Sequence, residues 1–179
     1  SVLGNPGPSA YGYVVLSEAE EILHETVGTW EKSTNQRAEL QAIVSALQWV
    51  NGLTQDLKRP LRVTVYSDSQ YAIKCLSEWW PKWERQGWMR KVKGKAFPVK
   101  NLDIIKAGVE AQKHQKVVFQ WVKGHSGNKW NEYVDQMVST AAARAGEIGI
   151  MDAGYDTADT DAFTEPTRFK HVNQASLFA

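Results

Sequence analysis

Apolar Leu61, Val63 and Val65 alternate with Arg62, Thr64 and Tyr66. That period of two, rich in β-branched residues, predicts a strand. It runs into Ser67-Asp68-Ser69, a set of helix N-cap residue types, and then into the helical spacing of Ala72, Ile73 and Leu76. Asp68 therefore sits where a strand stops and a helix starts, and in open α/β sheets ligands bind beyond the carboxyl ends of the strands. Alone, an acid at this place is accounted for as a helix cap.

The same reading extends along the chain. Ser1-Val2-Leu3-Gly4-Asn5-Pro6-Gly7-Pro8 is a turn-forming cluster. Tyr11 to Leu16 and Glu21 to Trp30 read as two strands of a hairpin, turning near Ser17 to Glu20. Ser33-Thr34-Asn35 offers N-caps for a helix from about Gln36 to Val50, with Leu40, Ile43, Val44, Leu47 and Val50 on one face and Asn51-Gly52 closing it. The helix after Asp68 is expected to run to about Trp80, where Pro81 ends or kinks it. Lys91 to Lys100 reads as a basic loop, Asn101 as the cap of a helix from Leu102 to Lys113, and Lys116 to Val122 as a strand. A loop bounded by Gly124 and Gly127 carries His125, and a last helix spans Asn131 to Ala145. Beyond Glu147 periodicity is lost, and an irregular tail is expected in which Leu177-Phe178 is at most a docking motif. No repeats are present. The order β-hairpin, α, β, α, basic segment, α, β, α predicts an α/β fold, a mixed sheet with helices on its faces.

Composition changes this picture little. The 179 residues suit one domain with some excess length, and 42% hydrophobic with 23% charged residues suits a water-exposed globular protein. No apolar run reaches membrane-spanning length and no signal peptide opens the chain, so a cytoplasmic protein is expected. The single cysteine, Cys75, excludes an internal disulfide and reads as packing.

Charge distribution changes it more. The net charge is only +1, yet Lys82, Arg85, Arg90, Lys91, Lys93, Lys95 and Lys100 stand against a single acid, Glu84, in one segment. Asp152, Asp156, Asp159, Asp161 and Glu165 form an acidic stretch in the tail that offsets them. The basic segment includes Trp79, Trp80, Trp83 and Trp88, half of the chain's eight tryptophans. Cations can pair with phosphates while rings pack on sugars or bases, so this stretch points to nucleic acid.

Three acids share a topology: Glu39 near a helix N-terminus, Asp68 at a strand end, Asp135 early in the last helix. Carboxylates brought together repel, and a divalent cation makes that tolerable. Oxygen ligands without a Cys/His cluster favour Mg²⁺ or Mn²⁺ over Zn²⁺. Such ions suit in-line attack on a phosphodiester, with His125 moving protons or helping product leave.

Five segments, in order, carry a resemblance: Ser1 to Pro8, Thr-Asn-Gln-Arg-Ala-Glu-Leu (Thr34 to Leu40), Ser-Asp-Ser-Gln-Tyr (Ser67 to Tyr71), Trp-Val-Lys-Gly-His-Ser-Gly-Asn (Trp121 to Asn128) and Asn-Glu-Tyr-Val-Asp (Asn131 to Asp135). On these the chain resembles the type 1 ribonuclease H family from Ser1 to about Ala145. The resemblance implies a ribonuclease H-like fold: a mixed five-stranded sheet with helices on both faces. It implies Mg²⁺-dependent cleavage of the RNA strand of RNA–DNA hybrids by a monomer without a membrane partner, leaving a 3′-hydroxyl and a 5′-phosphate. Glu39, Asp68 and Asp135 match three of the family's four metal-binding acids, and His125 its mobile histidine. Asn5, Asn35 and Gln70 match RNA-strand contacts, the 2′-hydroxyl being the group that separates RNA from DNA. Thr34 matches a DNA-phosphate contact. Trp79, Lys82, Trp83, Arg85 and Trp88 fall in a stretch that looks like the family's basic protrusion.

One departure follows. The family's first acid lies in an Asp-Gly-Ser sequence, at the end of the sheet's central strand and just ahead of Asn-Pro-Gly-Pro; here Ser1 is the Ser of that triplet. The expectation is thus a chain truncated at its N-terminus: residues 1–146 as the domain without its first strand, 147–179 as an irregular acidic tail. The competing readings are a non-catalytic hybrid or duplex-RNA binding module, an inactive fragment, and a resolvase- or integrase-like nuclease.

Overall fold

The structure is a computed structural model and describes residues 6–148 and 174–179. Strands β1 (Gly7–Ser17) and β2 (Ile22–Ser33) form the expected antiparallel hairpin. Its turn is tight: Ser17 Oγ accepts from the amides of Ala19 and Glu21, and Glu20 takes a left-handed φ of 58°.

Helix α1 spans Asn35–Leu57, longer than the sequence pattern suggested. Thr34 caps it by accepting from Arg37 N at 3.3 Å. Asn51-Gly52 does not close it, because Leu53 continues the buried stripe; the stop is Lys58, in the left-handed conformation at φ 53°. Strand β3 (Arg62–Ser67) leads through Asp68 to the short helix α2 (Gln70–Lys74), capped by Ser69. A π-helical turn, Cys75–Trp79, and helix α3 (Trp80–Arg85) follow without interruption. Pro81 does not end the helix: it lies in the first turn of α3, directly after the π-helical turn. The wide turn frees the Leu76 carbonyl, which accepts from Gln112 Nε2 at 3.1 Å.

Lys91 to Lys100 is not a loop. Strands β4 (Met89–Val92) and β5 (Lys95–Pro98) pair antiparallel across Lys93-Gly94, both at positive φ (49° and 80°), the mirror-image turn that matches hairpin twist. Helix α4 (Leu102–Gln112) starts where expected, but Asn101 makes no capping bond; its Nδ2 donates to Tyr71 Oη instead. Strand β6 (Lys116–Trp121) and helix α5 (Lys129–Ile148) complete the region matched by pattern.

The main correction concerns the C-terminal segment. Residues 174–178 are not an irregular tail but strand β7 (Gln174–Phe178), in the middle of a five-stranded sheet ordered β2-β1-β7-β3-β6. It runs antiparallel to β1 (Val14 beside Phe178) and parallel to β3 (Tyr66 beside Phe178). The central strand expected to be missing is thus present, supplied from the other end of the chain. The five-stranded mixed sheet stands as expected.

Alternation sends β7 into both cores. Ala175 and Leu177 join β1, β3, α1 and α4 on one face, while Phe178 joins Val14, Leu16, Trp130, Val134 and Val138 beneath α5 on the other. Phe178 also stacks on Tyr66, ring centres 4.6 Å apart. Cys75 is buried, and burial pushes its thiol up to about 11, so it stays protonated and inert. Among the described residues no helix is long and apolar enough to cross a membrane.

Candidate active site and nucleic-acid interface

The carboxyl end of β3 gathers the site. Ser69, one residue after Asp68, caps α2 by accepting from Ala72 N and donates its hydroxyl proton to Glu39 Oε2 at 2.5 Å. One serine therefore ties a carboxylate on α1 to the strand end that carries another. From the far side, the segment after β6 closes in: Val122 N donates to Ser67 O, and a side chain on Gly124 would place its first carbon 2.7 Å from Asp68 Oδ2. Gly124 is what this approach requires. The next residue, His125, holds a left-handed φ of 51° on a loop tip, 87% exposed, with Nδ1 3.6 Å from Asp135 Oδ2 on α5. Contacts thus run unbroken from Glu39 through Ser69, Asp68, Gly124 and His125 to Asp135.

The electrostatics follow. Burial raises the carboxyl of Glu39 above its usual range and the Asp68 charge adds to this, while the Ser69 hydroxyl pulls it back. Burial and then the Asp68 charge raise Asp135, with His125 opposing. Asp68 is the like charge felt by both. Asp135 Oδ2 is buried and has no hydrogen-bond partner among the described residues. Among the described residues, no three His, Cys, Asp or Glu side chains close into one coordination sphere. The donors that do gather are carboxylate oxygens carrying uncompensated charge, a set that fits a hard divalent cation.

Residues expected to touch substrate lie on either side. Asn35 and Gln70 are exposed at the first positions of α1 and α2, flanking Glu39 and Asp68, and Thr34 is the half-buried cap beside them. Asn5 lies outside the described residues. The tryptophan-rich stretch divides. Trp79, Lys82 and Trp83, with Met89, Arg90 and Lys91, line an open groove of about 860 Å³ between α3 and the β4–β5 hairpin. Trp79 and Trp83 meet edge to face at 5.6 Å, and Trp79 is 37% exposed. Arg85 and Trp88 are not among the groove's lining residues. Arg85 Nε folds back to donate to Pro81 O, and the half-buried Trp88 packs under Lys106, whose Nζ is 5.2 Å from its ring centre. Ser69, Gly124 and Arg90 were not singled out from sequence. Arg90 was visible there as one charge among many, but the roles of Ser69 and Gly124 come from contacts between distant segments.

The RNase H family model matches residues 1–143. A ribonuclease HI from Vibrio parahaemolyticus is 40% identical over 157 residues, covering 87% of this chain and 91% of that protein. A ribonuclease H from Cupriavidus metallidurans is 39% identical over 140 residues, covering 78% and 88%. Among solved structures, LC9-RNase H1, described as a type 1 RNase H with the type 2 active-site motif, superposes with a TM-score of 0.59 at 22% identity over 97% of this chain and 89% of its own. LC11-RNase H1, solved in complex with an RNA/DNA hybrid, gives 0.55 at 23% identity over 79% and 93%. These two likenesses speak to fold alone. With the family match spanning most of the chain and relatives near 40% identity covered over most of their length, this chain belongs to the type 1 ribonuclease H family.

Proposed function

We propose that this chain is an endonuclease that hydrolyses the RNA strand of RNA–DNA hybrids with the help of divalent metal, leaving a 3′-hydroxyl and a 5′-phosphate. The observation that carries the reading is the linked set Glu39, Ser69, Asp68, Gly124, His125 and Asp135 at the carboxyl rim of the sheet. Its family membership and its relatives, named ribonuclease H, support the same reading.

Glu39, Asp68 and Asp135 would hold the metal, Mg²⁺ or in its place Mn²⁺. Bound there, it would activate water and neutralise charge gathering on the phosphate. Lys82, Arg90 and Lys91 attract the hybrid's phosphates, while Trp79 and Trp83 offer ring faces to sugar or base. Arg85 and Trp88, beside the groove, complete the basic protrusion that meets the hybrid, with Arg85 held to Pro81 O and Trp88 packed under Lys106. Asn35 and Gln70, with Asn5, read the 2′-hydroxyls of the RNA strand, and Thr34 takes a DNA phosphate. The exposed His125 relays a proton at the reacting phosphate, steadied by Asp135. Residues 1–146 with strand 174–178 make up the catalytic unit, acting as a cytoplasmic monomer.

The test is a gel assay with labelled RNA–DNA hybrid, duplex DNA and single-stranded RNA in Mg²⁺. Cutting of the RNA strand of the hybrid alone is expected. Asp68→Asn should abolish turnover while hybrid binding persists. Binding without cutting by the unsubstituted chain would make it a binding module, and unchanged turnover in the variant would remove Asp68 from the mechanism.

A further inference from the structure

Trp121 ends the edge strand β6 with its large ring 51% exposed, yet its indole N–H is not left to solvent. Nε1 donates to the main-chain oxygen of Asp68 at 3.0 Å. The parallel register explains the reach: Ser67 pairs with Trp121, so the indole lies alongside the peptide that follows Ser67-Asp68. That peptide joins Asp68 to Ser69. On one side of it hangs the Asp68 carboxylate; on the other, Ser69 Oγ grips Glu39 at 2.5 Å. A displacement of the main chain at this point would carry the Asp68 carboxylate and the Ser69 hydroxyl that holds Glu39 together. The neighbouring contacts limit the same motion, with Val122 N on Ser67 O at 3.0 Å and Gly124 closed against Asp68 Oδ2.

We infer that Trp121 is a positioning residue: its indole N–H anchors the main chain where Asp68 meets Ser69 and so sets the mutual placement of the Asp68 and Glu39 carboxylates. The inference rests on the nuclease reading above. It separates two uses of an exposed tryptophan at a nucleic-acid site. A ring that stacks on a base contributes to binding, whereas a ring that orients metal-binding carboxylates contributes to turnover.

Trp121→Phe keeps most of the ring and removes the donor. With one hydrogen bond of ordinary net strength lost, kcat for hybrid cleavage should fall about tenfold, with KM within about twofold and the half-saturating Mg²⁺ concentration raised. Gly124→Ala, which disturbs Asp68 from the other side, should also lower kcat at unchanged KM. Independently of activity, the indole ¹H–¹⁵N signal that disappears in Trp121→Phe should exchange with solvent more slowly than N-acetyltryptophanamide does. Unchanged kcat in Trp121→Phe, a raised KM at unchanged kcat, or a fast-exchanging indole would each overturn the assignment. If the unsubstituted chain fails to cut hybrid, the nuclease reading falls and the positioning role falls with it, while the exchange measurement still reports whether the Trp121–Asp68 contact exists.

Discussion

Leu177→Ala asks most of the fold. Leu177 lies in β7 with no exposed surface, paired with Val15 on one side and Val65 on the other, both also fully buried. The substitution removes three carbons, worth about 0.8 kcal/mol each in transfer, or roughly 2.4 kcal/mol. The cavity left between β1, β3 and α1 adds to this, because a residue clamped by two strands cannot collapse far; about 3–5 kcal/mol in total is expected. For a chain of this size each kcal/mol lowers Tm by about 2–4 °C. A drop of roughly 6–20 °C should appear in thermal melts followed by far-ultraviolet circular dichroism. Val118→Ala is the control: Val118 is 56% exposed on the edge strand, and its change should stay within about 0.5 kcal/mol. A Leu177→Ala melt within about 2 °C of the unsubstituted chain would mean that β7 is not the middle of the sheet, and the account of both cores would have to be withdrawn.

Three other outcomes are expected. Glu39 and Asp135 have carboxyls raised above their ordinary range in the folded protein, by burial first and by the Asp68 charge as well. The folded state therefore holds protons more tightly than the unfolded chain, and without divalent ions stability should rise as pH falls from neutral toward the carboxylate range. In EDTA at neutral pH, Asp68→Asn should melt higher than the unsubstituted chain and gain less from added Mg²⁺; a lower melting point would show that the acids do not repel. Lys82→Ala and Arg90→Ala, measured by fluorescence anisotropy in the Asp68→Asn background, should weaken hybrid binding and each reduce the salt slope by about 1. An unaltered slope would take that residue off the phosphate backbone.

What the sequence disclosed depended on how far each feature is determined locally. The β3 strand announces itself by alternation and its break at Asp68 by cap residues, while β1 shows as an apolar run because cores meet both of its faces. The three acids were legible as a topology, since strand ends and helix starts can be read from pattern. Strand β7 was not: Gln-Ala-Ser-Leu-Phe is short and follows an acidic stretch, and only its two partners make it central. The β4–β5 hairpin hid because Lys93-Gly94 is a less common spelling of a positive-φ pair and its strands are exposed. Pro81 reads as an end or a kink because the sequence does not reveal that a π turn precedes it. Ser69 and Trp121 act through bonds to residues at separations of 30 and 53, so their roles emerge only from the packing of α1 beside the end of β3 and from the register of β3 with β6.

Strand β7 is also the seam along which the sheet can be opened. Among the described residues it alone joins the β1–β2 hairpin to the β3–β6 pair. Loosening it leaves each half with one unpaired inner edge, and such edges recruit whatever extended chain is nearest. Leu177→Ala should therefore promote association as well as lower the melting point, and a peptide of the sequence Gln174 to Ala179 should compete for the lane and suppress it.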